Sequence, residues 1–228
     1  MTAPVNYQRQ MDDIIRRLQS RGEVPSLLLH CCCAPCSTYV LEYLSNYFHI
    51  TTFYYNPNIF PVEEYQHRVA ELKRFSAEFP AKYPVNFLEG NYEPERYYAA
   101  VKGLEKEREG GARCYKCFEL RLGEAAKVAK ELGMDYFTTT LTISPMKDAD
   151  VLNHIGEEMG SLYGVKHLPS NFKKRNGFLR STQLCKEYHL YRQYFCGCVF
   201  SKMERDRQIV EEEAKAHALQ EQNPAASI

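Results

Sequence analysis

Short apolar runs recur along the first two thirds of the chain, and stretches with helical spacing separate them. The runs are rich in β-branched and aromatic residues and end at Asn, Pro, Ser or Gly, a pattern typical of buried strands. They predict four strands: SLLLH at 26–30, HITTFYYNPN at 49–58, VNFLEG at 85–90 and DYFTTTLTI at 135–143.

The segments between these strands carry apolar residues three or four positions apart, which predicts helices. A polar surface helix is expected over 8–20, and further helices begin after Pro35 and Pro61. Residues 93–132 predict one or two helices, and 148–162 predict another. One face of the helix after Pro61 collects Val62, Tyr65, Val69, Leu72 and Phe75.

Strands that alternate with helices predict an α/β fold, with a parallel sheet and helices on both of its faces. In such sheets, functional sites gather at the carboxyl ends of the strands. Three unusual stretches fall at such ends: CCCAPC after the first strand, NPN after the second and TISP after the fourth. We therefore expect one functional site rather than several.

The charged residues of the chain balance, since Lys+Arg and Asp+Glu are both 29 in 228 residues. This balance excludes a general attraction to nucleic acid, so any such binding requires a local patch. The N-terminal sequence lacks the apolar segment of a signal peptide, and no apolar run has the length of a membrane span. We expect a cytoplasmic protein without membrane association, in which thiols stay reduced.

The length suits one large domain with short appendages. We expect an N-terminal helical extension over 1–25, a single α/β catalytic domain over 26–215 and a flexible tail over 216–228. From about residue 170 the helical periodicity weakens and Cys, Tyr and Arg become dense. This last part of the domain is predicted to be a Cys-rich helical extension.

Nine cysteines are the most unusual feature of the composition, and eight of them fall in three clusters. On a helix, Cys114 and Cys117 would share one face, and the glycine of CGC allows a turn that presents both of its thiols together. In a reducing compartment, such crowding indicates metal or redox chemistry rather than disulfides. The clusters are Cys31, Cys32, Cys33 and Cys36, then Cys114 and Cys117, then Cys196 and Cys198.

Four interpretations of these thiols stay open on spacing alone. A structural zinc site needs four ligands in two close pairs, and this chain has a third group besides. A thioredoxin-like dithiol at 33–36 or 114–117 is a second possibility, and inert buried thiols are a third. An iron–sulfur cluster is favoured, because such clusters take three or four thiolates from separated segments and the surplus suits a second metal.

Five ordered segments resemble the QueH type of epoxyqueuosine reductase, and together they run from about residue 26 to 203. The resemblance implies a HUP-like, Rossmann-type nucleotide-binding fold and reduction of epoxyqueuosine to queuosine at the wobble position of tRNA. It also implies a 4Fe-4S cluster, an adjacent mononuclear iron and no cobalamin. The segments are HCCCAPCS, YYNPNIFPVEEYQHR, RCYKCFELRL, TTTLTISPMKD and FKKRNGFLRSTQLCKEYHLYRQYFCGCVFS.

The resemblance also implies a set of metal ligands. Cys36 stands where some members of the family carry Asp, which also supplies a ligand atom, so it joins the set. Cys31 and Cys185 lie outside the family pattern and are expected to be structural. Cys114 and Cys117 are assigned to the cluster, while the rest of the division between cluster and iron stays open. The expected ligands are Cys32, Cys33, Cys36, Cys114, Cys117, Cys196 and Cys198, of which Cys32, Cys33, Cys196 and Cys198 are also expected to be catalytic.

The segment NFKKRNGFLR interleaves bases with aromatic residues and has no acid, which is typical of contacts to single-stranded RNA. The alternative is a solvated loop. With the resemblance, we expect it to bind the tRNA anticodon loop through Lys173, Lys174, Arg175 and Arg180.

Other polar residues near the thiols have either a functional or a structural interpretation. Asn56 and Asn58 are expected to contact substrate, as is Arg192, which precedes the last Cys pair and has a packing role as its alternative. Glu64 and Arg68 either line the pocket or form a surface pair of little energetic weight. His30 is expected to be a satisfied core residue.

Two further functional hypotheses compete with the reductase. One is a zinc-stabilised, non-catalytic tRNA-binding protein, which would be colourless. The other is a tRNA-thiolating enzyme with an ATP-binding loop after the first strand, but CCCAPCS has no glycine there to cradle phosphate. A reductase would also need a low-potential electron donor, which the sequence does not identify.

Overall fold

The computed structural model describes residues 5–222, the backbone throughout and the side chains of 5–215. The strands are Ser26–His30 (β1), His49–Tyr54 (β2), Asn86–Glu89 (β3), Tyr136–Thr139 (β4) and Lys166–His167 (β5). The helices are Tyr7–Ser20 (α1), Ala34–Leu44 (α2), Val62–Glu78 (α3), Pro94–Ala100 (α4), Ala112–Glu131 (α5), Ala149–Tyr163 (α6), Gly177–Glu187 (α7) and Val199–Gln222 (α8).

The five strands form one parallel sheet in the order β3-β2-β1-β4-β5. The α/β fold class with a parallel sheet is thus confirmed, and this strand order is that of Rossmann-type sheets. The order reverses between β1 and β4, whose residues Leu27 and Tyr136 are paired. A crevice at the carboxyl ends of the strands is expected at such a reversal.

The apolar runs locate the strands well because the central strand is buried on both faces. Leu27, Leu28 and Leu29 are fully inaccessible to solvent, so β1 has no polar side to interrupt its apolar run. The fourth run was predicted too long. After Thr139 the chain turns into a short 3-10 helix, Thr140–Ile143, because the Thr139 hydroxyl accepts a hydrogen bond from the backbone N–H of Leu141.

Helix α1 is amphipathic rather than a polar surface helix, since Met11, Ile15 and Leu18 are buried in the main apolar cluster. Along α3, Tyr65, Leu72 and Phe75 are buried as predicted, whereas Val62 in the first turn is exposed.

Strand β5 has no counterpart in the predicted pattern, because its two residues are too few to show an apolar run. Helix α7 begins at Gly177, inside the basic segment that was expected to bind RNA, and it lies in the part of the chain predicted to be a Cys-rich helical extension. It packs against α2, where the Cys185 sulfur lies 3.9 Å from the Pro35 carbonyl oxygen.

The C-terminal region continues as helix α8 through residue 222, so residues 216–222 of the predicted flexible tail are helical. Residues 223–228 lie outside the described part of the chain. Between residues 5 and 222, no helix combines the length and the apolarity needed to cross a membrane. The division of the chain into an extension, a catalytic domain and a tail stays a prediction.

His167 on the edge strand β5 predicts how stability depends on pH. Burial lowers its pKa to about 3, and neither ring nitrogen has a partner among the described residues. In the unfolded chain a histidine titrates near 6.5, so protonation below that pH favours unfolding. Between about pH 6.5 and 3, this residue should lower the free energy of unfolding by as much as ~1.4 kcal/mol per pH unit. Denaturant titrations across that range should show a shallower acid loss for His167→Leu; an equal slope would contradict the assignment.

Candidate metal centre

Three thiols at the end of β1 form one group, which we call the strand-end thiols: Cys32, Cys33 and Cys36. Their sulfur atoms all lie within 4.8 Å of one another, and those of Cys32 and Cys33 are 3.7 Å apart. The backbone N–H of Cys31 still bonds to Phe53 of β2, so the loop departs from the sheet at Cys32.

The start of α2 brings the third thiol of this group back to the first two. Cys33 is the N-cap residue, Pro35 lies in the first turn, where a proline is tolerated, and Cys36 is the third helical residue. The unpaired N–H groups and the positive dipole end of a helix start favour thiolate anions. The strand-end thiols are therefore positioned to act as charged ligands.

Four thiols from two other segments form a second group, the cavity thiols: Cys114, Cys117, Cys196 and Cys198. The first two lie in the opening turns of α5, and the last two precede α8. The CGC turn works as predicted, since Gly197 adopts a φ of +129°, which is accessible mainly to glycine. All four line one small cavity of about 30 Å³.

A larger open cleft of about 490 Å³ adjoins this cavity and is lined by Cys32 and Cys36. Cys196 and Lys147 line both spaces, so the two thiol groups are neighbours. Lys147 follows the 3-10 helix that ends β4, at the reversal of the strand order. The loops after β1 and β4 thus meet at one edge of the sheet, as expected, and the functional role of this place stays a prediction.

The strand-end thiols differ in acidity. The pKa of the Cys32 thiol lies well below its usual range, mainly because Cys33 and Cys36 hydrogen-bond to its thiolate. The same interaction raises the pKa of Cys33 to about 12. Cys32 is therefore the thiol of this group that ionises most readily.

Three of the cavity thiols, Cys114, Cys117 and Cys196, respond chiefly to burial, which disfavours the charged form. Burial raises the pKa of Cys114 and of Cys196, and it raises that of Cys117 to about 12, against the nearby charge of Arg121. Such thiols ionise readily only when a cation takes the place of the proton.

Three buried arginines surround the thiols. Arg68 pairs with Glu64 at 2.7 Å and donates to the carbonyl of Cys196 at 3.1 Å. Arg121 donates to the Cys117 sulfur at 4.0 Å and to the side chain of Asn56.

Arg113, the third of these arginines, donates to the carbonyl of Glu105 at 3.0 Å and stacks over Phe200 at 4.8 Å. All three arginines are 1–2% exposed.

These arginines leave polar atoms without partners beside the cavity. Arg113 Nε and Nη2, Arg121 Nε and the side-chain oxygen of Asn58 are buried and have no hydrogen-bond partner among the described residues. Buried polar groups are rarely left unpaired, so unpaired groups around four thiols indicate a ligand. A thiolate-bound metal cluster carries negative charge, which the unpaired arginine N–H donors suit, and the residues therefore fit such a group.

The predicted substrate contacts fall in different places. Asn56 is fully buried, donating to the carbonyl of Cys31 at 2.9 Å and accepting from Arg121. Asn58 lines the small cavity of the cavity thiols. Arg192 lines the open cleft, where it stacks over Phe178 at 5.8 Å.

The predicted basic patch is largely bound within the protein. Lys173 donates to the carbonyls of Ser144 and Lys147, the latter at 2.6 Å. Arg175 pairs with Asp12 at 2.6 Å, and Arg180 makes a two-pronged contact with Glu42. None of these four bases lines the open cleft, and Lys174 is exposed.

Glu64 and Arg68 do not form the weak surface pair that was considered, because Arg68 is only 1% exposed. His30 is a satisfied core residue, with one ring nitrogen 2.8 Å from the Thr139 hydroxyl and the other 3.2 Å from the Tyr55 carbonyl. Cys31 and Cys185 are buried and line neither space, and both lie in the apolar core.

Sequence reasoning missed Arg113, Arg121 and Lys147. The spacing offered one signal, since Arg121 lies four residues after Cys117 and therefore on the same helix face. Lys147 offered another, because it follows the end of a strand that was expected to reach the site.

This fold and these two adjoining thiol groups define an α/β protein whose site is compatible with metal or iron–sulfur binding. A family model described as epoxyqueuosine reductase QueH matches residues 27–204, and the chain belongs to that family.

Relatives cover nearly the whole chain. It is 46% identical over 216 residues to the epoxyqueuosine reductase QueH of Streptococcus pyogenes serotype M1, across 93% of this chain and 85% of that protein. It is 43% identical to the QueH of Staphylococcus epidermidis, across 95% and 93%. The QueH of Thermotoga maritima is 36% identical, across 79% and 92%.

A matched pair of buried thiols tests the metal centre. Cys117→Ser removes a cavity thiol on α5, whereas Cys185→Ala removes a buried thiol on α7 that lines neither space. After anaerobic reconstitution with iron and sulfide, we expect Cys117→Ser to lose most of the bound iron and visible absorbance, while Cys185→Ala keeps both. Equal iron content in the two variants would count against the cavity thiols as ligands.

Proposed function

We propose that this protein is an epoxyqueuosine reductase that converts epoxyqueuosine to queuosine in tRNA. One observation carries the proposal: six thiols from three distant segments line two adjoining spaces at the sheet reversal, and a seventh, Cys33, lies beside Cys32. Membership of the QueH family supports the same activity. The reaction removes the epoxide oxygen as water and consumes two electrons and two protons, leaving an alkene.

The two thiol groups suggest how the metals divide. The cavity thiols supply four ligands around one space, which suits a 4Fe-4S cluster. The strand-end thiols supply three ligands beside the open cleft, which suits a single iron with a position left for substrate. When bound, the cluster would transfer single electrons and the iron would act as a Lewis acid toward oxygen. The thiols that we propose to be catalytic remain Cys32, Cys33, Cys196 and Cys198.

The open cleft is the proposed binding site for the modified nucleotide. Its volume of about 490 Å³ lies within the range of small-ligand pockets, which supports the entry of one flipped-out nucleoside. Phe178 and Tyr194 on its wall are 40% and 52% exposed, so their rings are available for base stacking. Arg192 beside Phe178 would contact phosphate or base, as the sequence predicted.

Lys147 is the proposed contact for the departing oxygen. Burial disfavours the charge of its ammonium group, but the nearby Cys196, Cys32 and Cys36, when they are thiolates, outweigh burial and raise the pKa of Lys147. Within residues 5–215, no carboxylate lies within ion-pair distance of it. Lys173 fixes the backbone of this loop through the Ser144 and Lys147 carbonyls. A fixed cation there would stabilise negative charge that develops on the oxygen as the ring opens.

The reaction also defines the partners. The substrate is the anticodon loop of a tRNA, and the electrons come from a low-potential one-electron donor that remains to be identified. A cytoplasmic location is part of the proposal, since tRNA and a reducing environment for the thiols are found there.

Mass analysis of nucleosides tests the function directly. Epoxyqueuosine-containing tRNA is incubated anaerobically with iron-reconstituted protein and a strong reductant, then digested. We expect a product 16 mass units lighter than epoxyqueuosine, the mass of one oxygen atom. A colourless protein that holds zinc, binds tRNA and leaves epoxyqueuosine intact would instead indicate the non-catalytic RNA-binding function.

Replacement of Lys147 should affect the chemical step more than binding. We expect Lys147→Met to lower the single-turnover rate by ~10²-fold, the usual size for loss of one stabilising donor, with iron content unchanged. Lys147→Arg should recover part of the rate because it restores the charge. Lys166→Met, on the edge strand β5, is the matched control and should behave as wild type. A normal rate for Lys147→Met at normal iron content would exclude this role.

Salt dependence tests the tRNA contacts. Lys174→Ala and Arg192→Ala should each weaken tRNA binding and reduce the slope of log affinity against log salt by about 1. Arg175→Ala should change the slope less, because Asp12 already balances that charge. Binding titrations at several salt concentrations measure these slopes. Slopes equal to that of the wild type for Lys174→Ala and Arg192→Ala would argue that tRNA docks elsewhere.

A further inference from the structure

We propose that Arg121 is a positioning residue that couples the two thiol groups electrostatically and raises the reduction potential of the metal centre. The inference rests on the proposed iron–sulfur centre and concerns one side chain that sequence reasoning did not assign. Arg121 is 2% exposed on α5, four residues after Cys117.

The guanidinium group is held from two sides. It donates to the Cys117 sulfur at 4.0 Å and to the side-chain oxygen of Asn56. Asn56 in turn donates to the carbonyl of Cys31 at 2.9 Å, in the loop that carries the strand-end thiols. Arg121 thus connects α5, which presents two cavity thiols, with the segment after β1.

The same side chain faces both thiol groups. It lines the open cleft together with Cys32, Cys36 and Cys196, and its Nε is buried without a partner among the described residues. Its charge lowers the pKa of both Cys32 and Cys117, although hydrogen bonds dominate for Cys32 and burial for Cys117.

The expected effect on the reduction potential follows from the positive charge of Arg121. Reduction adds one electron to a centre that thiolates already make negative, so a nearby cation stabilises the reduced form more than the oxidised form. The interaction is strong because the site is buried and poorly screened by solvent. Arginine keeps its charge at all accessible pH values, so the effect does not depend on titration.

A purely structural role makes a different prediction. If Arg121 only joins helix and loop, a neutral side chain that keeps the hydrogen bond to Asn56 should preserve the potential. Arg121→Gln retains a donor for Asn56 but removes the charge, while Arg121→Lys retains the charge but loses the planar two-sided contact. These two variants separate charge from geometry.

The test measures midpoint potentials by spectroelectrochemistry on anaerobically reconstituted full-length protein, with an electrode as the electron source. We expect Arg121→Gln to disfavour reduction about tenfold, a fall of about 59 mV for one electron. Arg121→Lys should stay close to wild type. The control is Arg96→Gln, an exposed arginine on α4 that pairs with Glu93 and Glu124.

Two results would overturn the inference: a wild-type potential in Arg121→Gln, or equal falls in Arg121→Gln and Arg121→Lys. Either would leave the proposed reductase activity intact, provided that the wild-type protein holds a cluster. Absence of an iron–sulfur cluster from wild-type protein would instead defeat the proposed function itself, so the two failures are distinguishable.

Discussion

The site depends on balancing the negative charge of thiolates that are brought together out of water. Each buried thiolate carries a desolvation cost that only a cation or a strong donor can offset. Three helix starts, the buried Arg113 and Arg121, and the partly buried Lys147 surround the seven thiols. The whole chain is electrically neutral, yet this one region concentrates positive groups. The balance of positive and negative charge within this region, and not the net charge of the chain, permits the thiols to lie together.

The sheet topology explains why distant segments meet there. Strands β1 and β4 are neighbours although more than a hundred residues separate them, and the chain leaves them toward opposite sides of the sheet. The loop after β1 brings the strand-end thiols, and the loop after β4 brings Lys147. Helix α5 runs back toward β4, so its N-terminal turns with Cys114 and Cys117 reach the same edge.

The sequence predicted the parts of the structure that local patterns determine. Strand β1 was predicted correctly because it is buried on both faces. The thiol clusters were recognised as a candidate site because few functions other than metal or redox chemistry require such clusters. What could not be predicted depended on contacts distant in sequence. In the sequence, Lys173 and Arg175 resemble an RNA-binding patch. Their partners in the fold, the Lys147 carbonyl and Asp12, are distant in the sequence, so the pairing could not be predicted. Arg68 likewise resembles one member of a surface ion pair with Glu64, because the sequence does not show its contact with the Cys196 carbonyl.

The contact between Arg68 and Cys196 has a consequence for biogenesis. Two of the four cavity thiols belong to a turn that is translated some eighty residues after Cys114 and Cys117, and it docks on α3 through the Cys196 carbonyl. Until this turn has docked, the cavity has only two of its four thiols. A chain that ends before Cys196 would therefore retain the residues of the sheet but lack half of the thiols that line this cavity.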